Sequence, residues 1–397
     1  MLESTAAYAL EKLRASGEHE TLARRHAAYF RDQVDAADER FGTGSTAAWL
    51  AGVELELDNF RSALTWTLTD GNDAVLGGAI AGALGQLWRN AGLRVEGKYW
   101  IERALDGVSE TEQPRVAARL QLALSHLSTG KRKHDAAERA MPLYAVAGDA
   151  RGAACAQSSL AFALLQMGEL DAAQAAIAQA LAAARARRDR WNIAESLNAQ
   201  ALIEKERGDV GAAREDYAQA LAASKALGNE SGTAVVLGNV AELEFADGHP
   251  EQALRAHGEA LEIRLRGKNA TLIATGYVNG AAYRLALGDL AGARESAREG
   301  LRVARQARVE LFIAIALQHL ALLAGLGGDG RRAALLLGYV DKRFTELGYK
   351  REHTEQWGYD KLMTALRETL SEDEIAQLAA GGTTWSEDQA VEEALKV

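Results

Sequence analysis

The chain has 397 residues, 48% of them apolar and 25% charged, with 38 glycines, three prolines and one cysteine. Its net charge of −10 argues against a chain that tracks a phosphate backbone, because nucleic-acid affinity rests on basic residues that neutralise phosphates. The lone Cys155 excludes an intramolecular disulfide and a multi-cysteine metal site, and no apolar run approaches the ~20 residues that span a membrane.

In chain order, Met1–Leu13 mixes Glu3, Glu11 and Lys12 with apolar residues at helical spacing. It lacks the apolar core of a signal peptide, which places the expected chain in the cytoplasm. Residues 1–80 read as helical and are rich in aromatic residues, Phe30, Phe41, Trp49, Phe60 and Trp66, which suits a helical N-terminal cap or junction. Gly92 and Gly130 then stand 38 residues apart and lead into an unbroken 40-residue beat at Gly168, Gly208, Gly248, Gly288 and Gly328. Seven positions before each of these five is an alanine (Ala161, Ala201, Ala241, Ala281, Ala321), and five after each is another (Ala173, Ala213, Ala253, Ala293, Ala333). Thirteen after come Leu181, Leu221, Leu261 and Leu301, with Asp341 breaking the series. A period of this size means stacked supersecondary units, none of which buries its apolar face alone.

The unit from Asp189 to Gly228 shows the construction. Asp189 caps a first helix through Ile193, Leu197, Ala201 and Leu202, Gly208-Asp209 closes it, and a second helix runs through Tyr217, Ala220 and Leu221. Gly228 supplies a left-handed C′ residue, and the capping slot recurs as Asp149, Asp189, Asn229 and Asn269. The alanines let the two helices approach closely, while Tyr217 and Leu221 fill the gaps between neighbours. The expected class is therefore an all-α, α-α superhelix of 40-residue repeats over 81–345. Trp357, Tyr359, Leu362, Leu366 and Ile375 mark C-terminal capping helices over 346–397.

This register resembles the tetratricopeptide repeat. One unit reads Ala201, Gly208, Ala213, Tyr217, Ala220-Leu221, and the next Ala241, Gly248, Ala253, His257, Ala260-Leu261. The departures are a period of 40 residues rather than about 34 and no proline at the end of the second helix, where Lys225 and Leu265 stand.

A second resemblance is narrower. Trp49-Leu50, Glu54, Glu56, Asp58-Asn59-Phe60-Arg61, Ala63-Leu64 and Trp66 are similar to the segment that follows the nucleotide-binding and winged-helix parts of bacterial signal-transduction ATPases with numerous domains. Met1-Leu2-Glu3-Ser4, Tyr8–Leu13 and Arg25–Phe30 resemble the junction leaving that ATPase module. Trp88, Gly92, Glu96-Gly97, Trp100 and Glu102–Leu105 resemble its first repeat, and Trp385–Leu395 the usual close. No Gly-x-x-x-x-Gly-Lys-Ser/Thr phosphate loop occurs. The resemblance thus implies the C-terminal sensor region of a larger transcriptional regulator, or a free-standing relative. If the chain is a truncated sensor, the parent's ATPase and DNA-binding domains are its partners.

No catalytic constellation is expected, and no cofactor or metal site. His134-Asp135, His249 with Glu251 and His353 with Glu355 lack the i, i+4 histidine pair or third ligand of a helical zinc site. Cys155 lies among alanines and reads as a small core residue. Arg185, Arg187, Arg188 and Arg190 end a helix, where positive charge is favoured; Lys131-Arg132-Lys133-His134 begins one and is the better anion or partner contact. The tetratricopeptide resemblance implies that first helices line a concave groove. The residues around the small alanines then become candidates for binding a protein, a peptide or a small polar ligand. They are Ser158 and Phe162; Asn198, Lys205 and Glu206; Asn239, Glu242 and Phe245; Tyr277 and Asn279; Gln318 and His319. The expected function is a non-enzymatic sensor module of a bacterial regulator, the alternative a stand-alone scaffold for protein assembly. Neither involves a membrane or direct contact with nucleic acid.

Overall fold

The computed structural model describes residues 3–42, 44–70, 73–267 and 269–397, with only the backbone of residues 3–7 and 10. Met1 and Leu2 of the expected junction helix lie outside the described residues. Regular structure among the described residues is helical throughout. The helices are α1 (Glu3–Ala15), α2 (His19–Arg40), α3 (Thr46–Glu54), α4 (Leu57–Leu64), α5 (Ala74–Ala83), α6 (Gly85–Asn90), α7 (Arg94–Leu105), α8 (Pro114–Leu127) and α9 (Gly130–Val146). There follow α10 (Ala150–Gln166), α11 (Leu170–Arg187), α12 (Arg190–Arg207), α13 (Val210–Ala226), α14 (Glu230–Ala246), α15 (Pro250–Gly267), α16 (Ala270–Ala286), α17 (Leu290–Ala307), α18 (Glu310–Leu326) and α19 (Gly330–Glu346). The chain ends with α20 (His353–Arg367), α21 (Glu372–Gly382) and α22 (Glu387–Ala394), and a π-helical turn, Thr65–Thr69, follows α4. The class is the one expected, an all-α fold of the tetratricopeptide-like superhelical type. No described helix is long and apolar enough to cross a membrane.

The turn chemistry sets the 40-residue period. First helices begin at Ala150, Arg190, Glu230, Ala270 and Glu310, and second helices at Leu170, Val210, Pro250, Leu290 and Gly330. The turn glycines between them hold φ between +76° and +86°, a left-handed conformation that costs an L-residue about 1–2 kcal/mol and glycine almost nothing. At the next junction the side chains of Asp149, Asp189, Asn229 and Asn269 each accept the N–H three residues on, at 2.8–3.2 Å. Asp209, Asp289 and Asp329 do the same for second helices. Gly228 takes the expected positive φ, but the same slot forty residues earlier and eighty later holds Arg188 and Arg308, at φ +55° and +54°. The repeat dictates the conformation there even without glycine. The alanines are buried as the close approach of helices requires, with Ala201, Ala213, Ala220 and Tyr217 all fully enclosed.

Two compact units divide the chain, Met1–Gly232 and Thr233–Val397. In the first, Phe30, Phe60, Trp88 and Trp100, with Leu64, form a core rich in aromatic rings, and α5–α6 lie close on α8 through glycine. A Cβ at Gly85 would stand 2.9 Å from that of Ala123, and one at Gly82 3.1 Å from Cγ of Arg119. In the second unit, α18 is apolar all round but for Gln318 and His319, and is buried from Ile313 to Gly325, as such a helix must be. Contacts with α17, α19, α20 and α22 enclose it. There α21 lies on α19 backbone to backbone: a Cβ at Gly338 would run into the Ala379 carbonyl, and one at Gly382 into the Leu335 carbonyl.

Candidate ligand cavity of the first unit

Helical spacing turns Arg115, Arg119, Leu122 and His126 to one side of α8, while α10 and α12 present Cys155 and Trp191 to the same space. The opposite wall comes from α2, with Arg31, Asp35, Asp38 and Glu39, and from Phe41 beyond its end. They enclose a cavity of about 540 Å³.

Arg119 ties its walls together. Its guanidinium donates to Asp35 Oδ1 at 2.5 Å and to Asp38 Oδ2 at 2.6 Å, a forked arrangement that fixes α2 over α8. Burial pushes the Asp38 carboxyl above its ordinary range in spite of Arg119. The same burial opposes the charge on Arg119, but Asp38 and Asp35 together raise its pKa above that of a free arginine. At the rim, Arg115 lies 3.9 Å from Asp149 and Arg151 3.9 Å from Asp189. Each arginine thus reaches the capping aspartate of the next first helix, with its own side chain mostly exposed. Trp191 closes one end. Its indole sits so near the α2–α3 turn that a Cβ at Gly42 would stand 2.5 Å from Nε1, and this buried N–H has no hydrogen-bond partner. Such orphan donors are rare in folded interiors.

Cys155 lines the cavity as a small neutral group. Its thiol contacts Asn192 Oδ1 at 3.3 Å, and burial pushes its pKa up to about 12, which leaves no reactive thiolate. One turn deeper along α8, burial and then Arg89, Lys133 and Arg94 hold His126 well below its ordinary value. Lys133 is itself pushed down to about 8 by burial, Arg89 and Arg94. Facing them from α12, Glu195 is raised by burial, with Arg89 pulling the other way. The run Lys131–His134 is therefore divided. Lys131 and His134 pair with Asp135, and Arg132 pairs with Glu102, whereas Lys133 turns inward.

None of the twelve groove candidates lines this cavity. Ser158 and Asn198 are buried on the helices that also carry Cys155 and Trp191, and the Ser158 hydroxyl lacks a partner. Phe162 is half-buried; Lys205 and Glu206 stand 3.9 Å apart, with Glu206 exposed. In the second unit Asn239, Glu242 and Asn279 are half-buried, and Asn279 bonds to the side chain of Tyr283. Three candidates need correction, because α20 covers them. Phe245 packs edge-on to Trp357 at 5.5 Å, Gln318 donates to the Glu355 carbonyl at 2.8 Å and accepts from Arg351 at 2.7 Å, and His319 is 1% exposed. They lie under α20 and the segment just before it rather than on an exposed surface. Tyr277 lines a different cavity, between α17 and α22.

The histidine pairings also differ from sequence order. His249 lies 3.3 Å from Asp247 and 3.6 Å from Glu244 rather than beside Glu251. Two groups among the described residues, His134–Asp135–Glu138 and Glu244–Asp247–His249, bring a histidine and two carboxylates within 4.8 Å. What sequence reasoning missed is the α2 wall. Its readable signal was Asp35 and Asp38, one turn apart on a helix, with Arg31 one turn before Asp35 as the single basic residue at pairing distance along it.

The tetratricopeptide repeat family profile matches residues 192–266. No curated protein sequence matches the chain. Among solved structures, a Rap protein complexed with Competence and Sporulation Factor is similar over 89% of this chain and 99% of its own, at 15% identity and a TM-score of 0.52. A signal transduction ATPase with numerous domains, carrying a tetratricopeptide repeat sensor, from Pyrococcus horikoshii, is similar over 86% of this chain at 15% identity and a TM-score of 0.55. This chain spans about half, 54%, of that protein. These likenesses establish the fold, tandem tetratricopeptide-like hairpins.

Proposed function

We propose that the chain is a sensor module of a bacterial transcriptional regulator, and that it receives a short peptide or small polar ligand in the cavity between α2 and the first helices α8, α10 and α12. The observation that carries this reading is the cavity itself. At about 540 Å³ it falls within the range of about 300–1,000 Å³ typical of small-ligand sites. Its lining mixes apolar surface with charges of both signs, and its Trp191 N–H is left without a partner. A ligand with an anionic or carbonyl group meets charge-assisted donors in the rim arginines Arg115 and Arg151. Two similarities support the regulatory context. The residues around Trp49–Trp66 resemble the junction of signal-transduction ATPases, and a structural neighbour of that kind carries its repeats as a sensor. The other neighbour is complexed with Competence and Sporulation Factor. In this reading residues 1–80 join or cap the receiver, 81–345 form the repeats and 346–397 close them.

Selection of phage-displayed random pentapeptides against the full chain, followed by thermal shift, tests the proposal. A peptide at a hundred times its Kd adds about 2.7 kcal/mol of stability. The double variant Arg115→Ala/Arg151→Ala removes two exposed rim cations at little cost to folding, and is expected to weaken selected peptides about tenfold or more. Peptides that bind wild type and double variant equally would place recognition elsewhere.

A further inference from the structure

The second unit has a cavity of about 880 Å³ between α17 and α22, and its charge is unlike that of the chain. Arg294, Arg298, Arg302 and Arg305 recur at intervals of four, four and three along α17, so they form one stripe. Arg284 joins them from α16. Against these five cations stand two acids of the lining, Glu295 and Glu299. The lining is net positive by three, and Asp289, Glu387 and Asp388 just outside it pair with Arg284 and Arg305. Leu261, Leu301 and Tyr277 supply an apolar wall.

Most of the arginines have partners. Arg302 pairs with Glu299 and donates to Gln306 at 2.9 Å, and Arg305 reaches Glu387 at 3.3 Å and Asp388 at 2.5 Å. Arg298 donates to the backbone oxygens of Leu395 and Val397 at 2.9 and 2.7 Å, and Arg284 to Ser296 Oγ at 3.0 Å. Arg294 differs from all of them. Its Nε is buried without a hydrogen-bond partner, and among the described residues its guanidinium makes no ion pair. A half-buried guanidinium beside other cations, with its Nε unmet and no carboxylate paired to it, is an unfavourable arrangement that an anion at its Nη atoms relieves.

We propose that this cavity binds a small organic anion, a carboxylate or phosphate ester with an apolar body, and that Arg294 is the residue that grips its charge. The apolar body lies against Leu261, Leu301 and Tyr277. Glu295 and Glu299 limit the affinity for anions, because each adds like-charge repulsion near the bound group. The site lies wholly within the second unit and does not depend on the ligand proposed for the first.

Calorimetric titration of the full chain at low ionic strength with phenyl phosphate and with phenylacetate tests the assignment and separates phosphate from carboxylate preference. Saturable binding of at least one probe is expected, weakened about tenfold in Arg294→Gln and less in Arg294→Lys, which keeps the charge without the fork. Glu295→Gln is expected to tighten it about threefold. Arg115→Ala/Arg151→Ala leaves it unchanged, so failure of the first site and of this one are distinguishable. Equal affinity of wild type, Arg294→Gln and Arg294→Lys, or no saturable binding of either probe, overturns the proposal. Circular dichroism of each variant confirms that it is folded.

Discussion

The two units start from the same repeat and treat its first helices differently. In the first unit, α2 approaches α8 through a forked ion pair, Arg119 with Asp35 and Asp38, and leaves a polar cavity beside it. In the second, α20 lies directly on α18 and seals Gln318 and His319 from solvent. The repeats supply the same helix surface in both cases. The helices outside the repeat decide whether it stays open.

The largest effect is expected where the second unit is tightest. Gly338→Ala drives a methyl group into the Ala379 carbonyl, a backbone atom that has no rotamer to move, and should destabilise by about 3 kcal/mol or more. Gly85→Ala in the first unit meets the Cβ of Ala123 at 2.9 Å and its Cα at 3.4 Å and should cost about 1–2 kcal/mol. Chemical denaturation of both variants checks the ranking, and equal losses would mean that the α19–α21 contact is not as close as described.

A pH effect comes next. His319 is buried with both ring nitrogens unpaired, and burial pushes its pKa from 6.5 down to about 4. The folded value lies below the unfolded one, so the unfolded chain binds more protons between them. The contribution is complete above pH 6.5 and is lost as pH falls through 4, on the order of 3 kcal/mol. His319→Leu should flatten this part of the stability profile without lowering stability at pH 7, since it also removes two unsatisfied polar atoms. An unchanged slope would show that the ring is solvated and that α20 does not seal it.

The smallest effect concerns a slot common to both units. Arg188→Gly in the first and Arg308→Gly in the second relieve a left-handed backbone, and each should stabilise by about 1 kcal/mol. Loss of stability in one of them would reveal a contact of the arginine head that outweighs the backbone strain.

Much of the fold was legible because it is local. Asp149, Asp189, Asn229 and Asn269 cap the helices they were expected to cap, and the turn glycines and small alanines occupy their expected conformations and burial. Arg188 and Arg308 were not legible as left-handed residues, because only the geometry imposed by neighbouring repeats forces that conformation on them. The site was less readable still. The offset from each small alanine locates a helix surface, but it carries no information on what packs there. Phe245, Gln318 and His319 therefore looked as open as Glu206, which is exposed. Arg119 and Trp191 were missed because their partners, Asp35, Asp38 and the backbone of Gly42, are more than eighty residues away in sequence.

The central claim, that the first-unit cavity is the receiver, is tested most directly by fluorine NMR of chain labelled with 5-fluorotryptophan, using a pentapeptide selected as above. The chain has seven tryptophans, and Trp191→Phe assigns the one that matters. Binding should shift the Trp191 resonance while Trp357, packed beside Phe245 in the second unit, stays in place, and Arg115→Ala/Arg151→Ala should abolish the shift at the same peptide concentration. A shift at Trp357 with Trp191 unmoved would contradict the account.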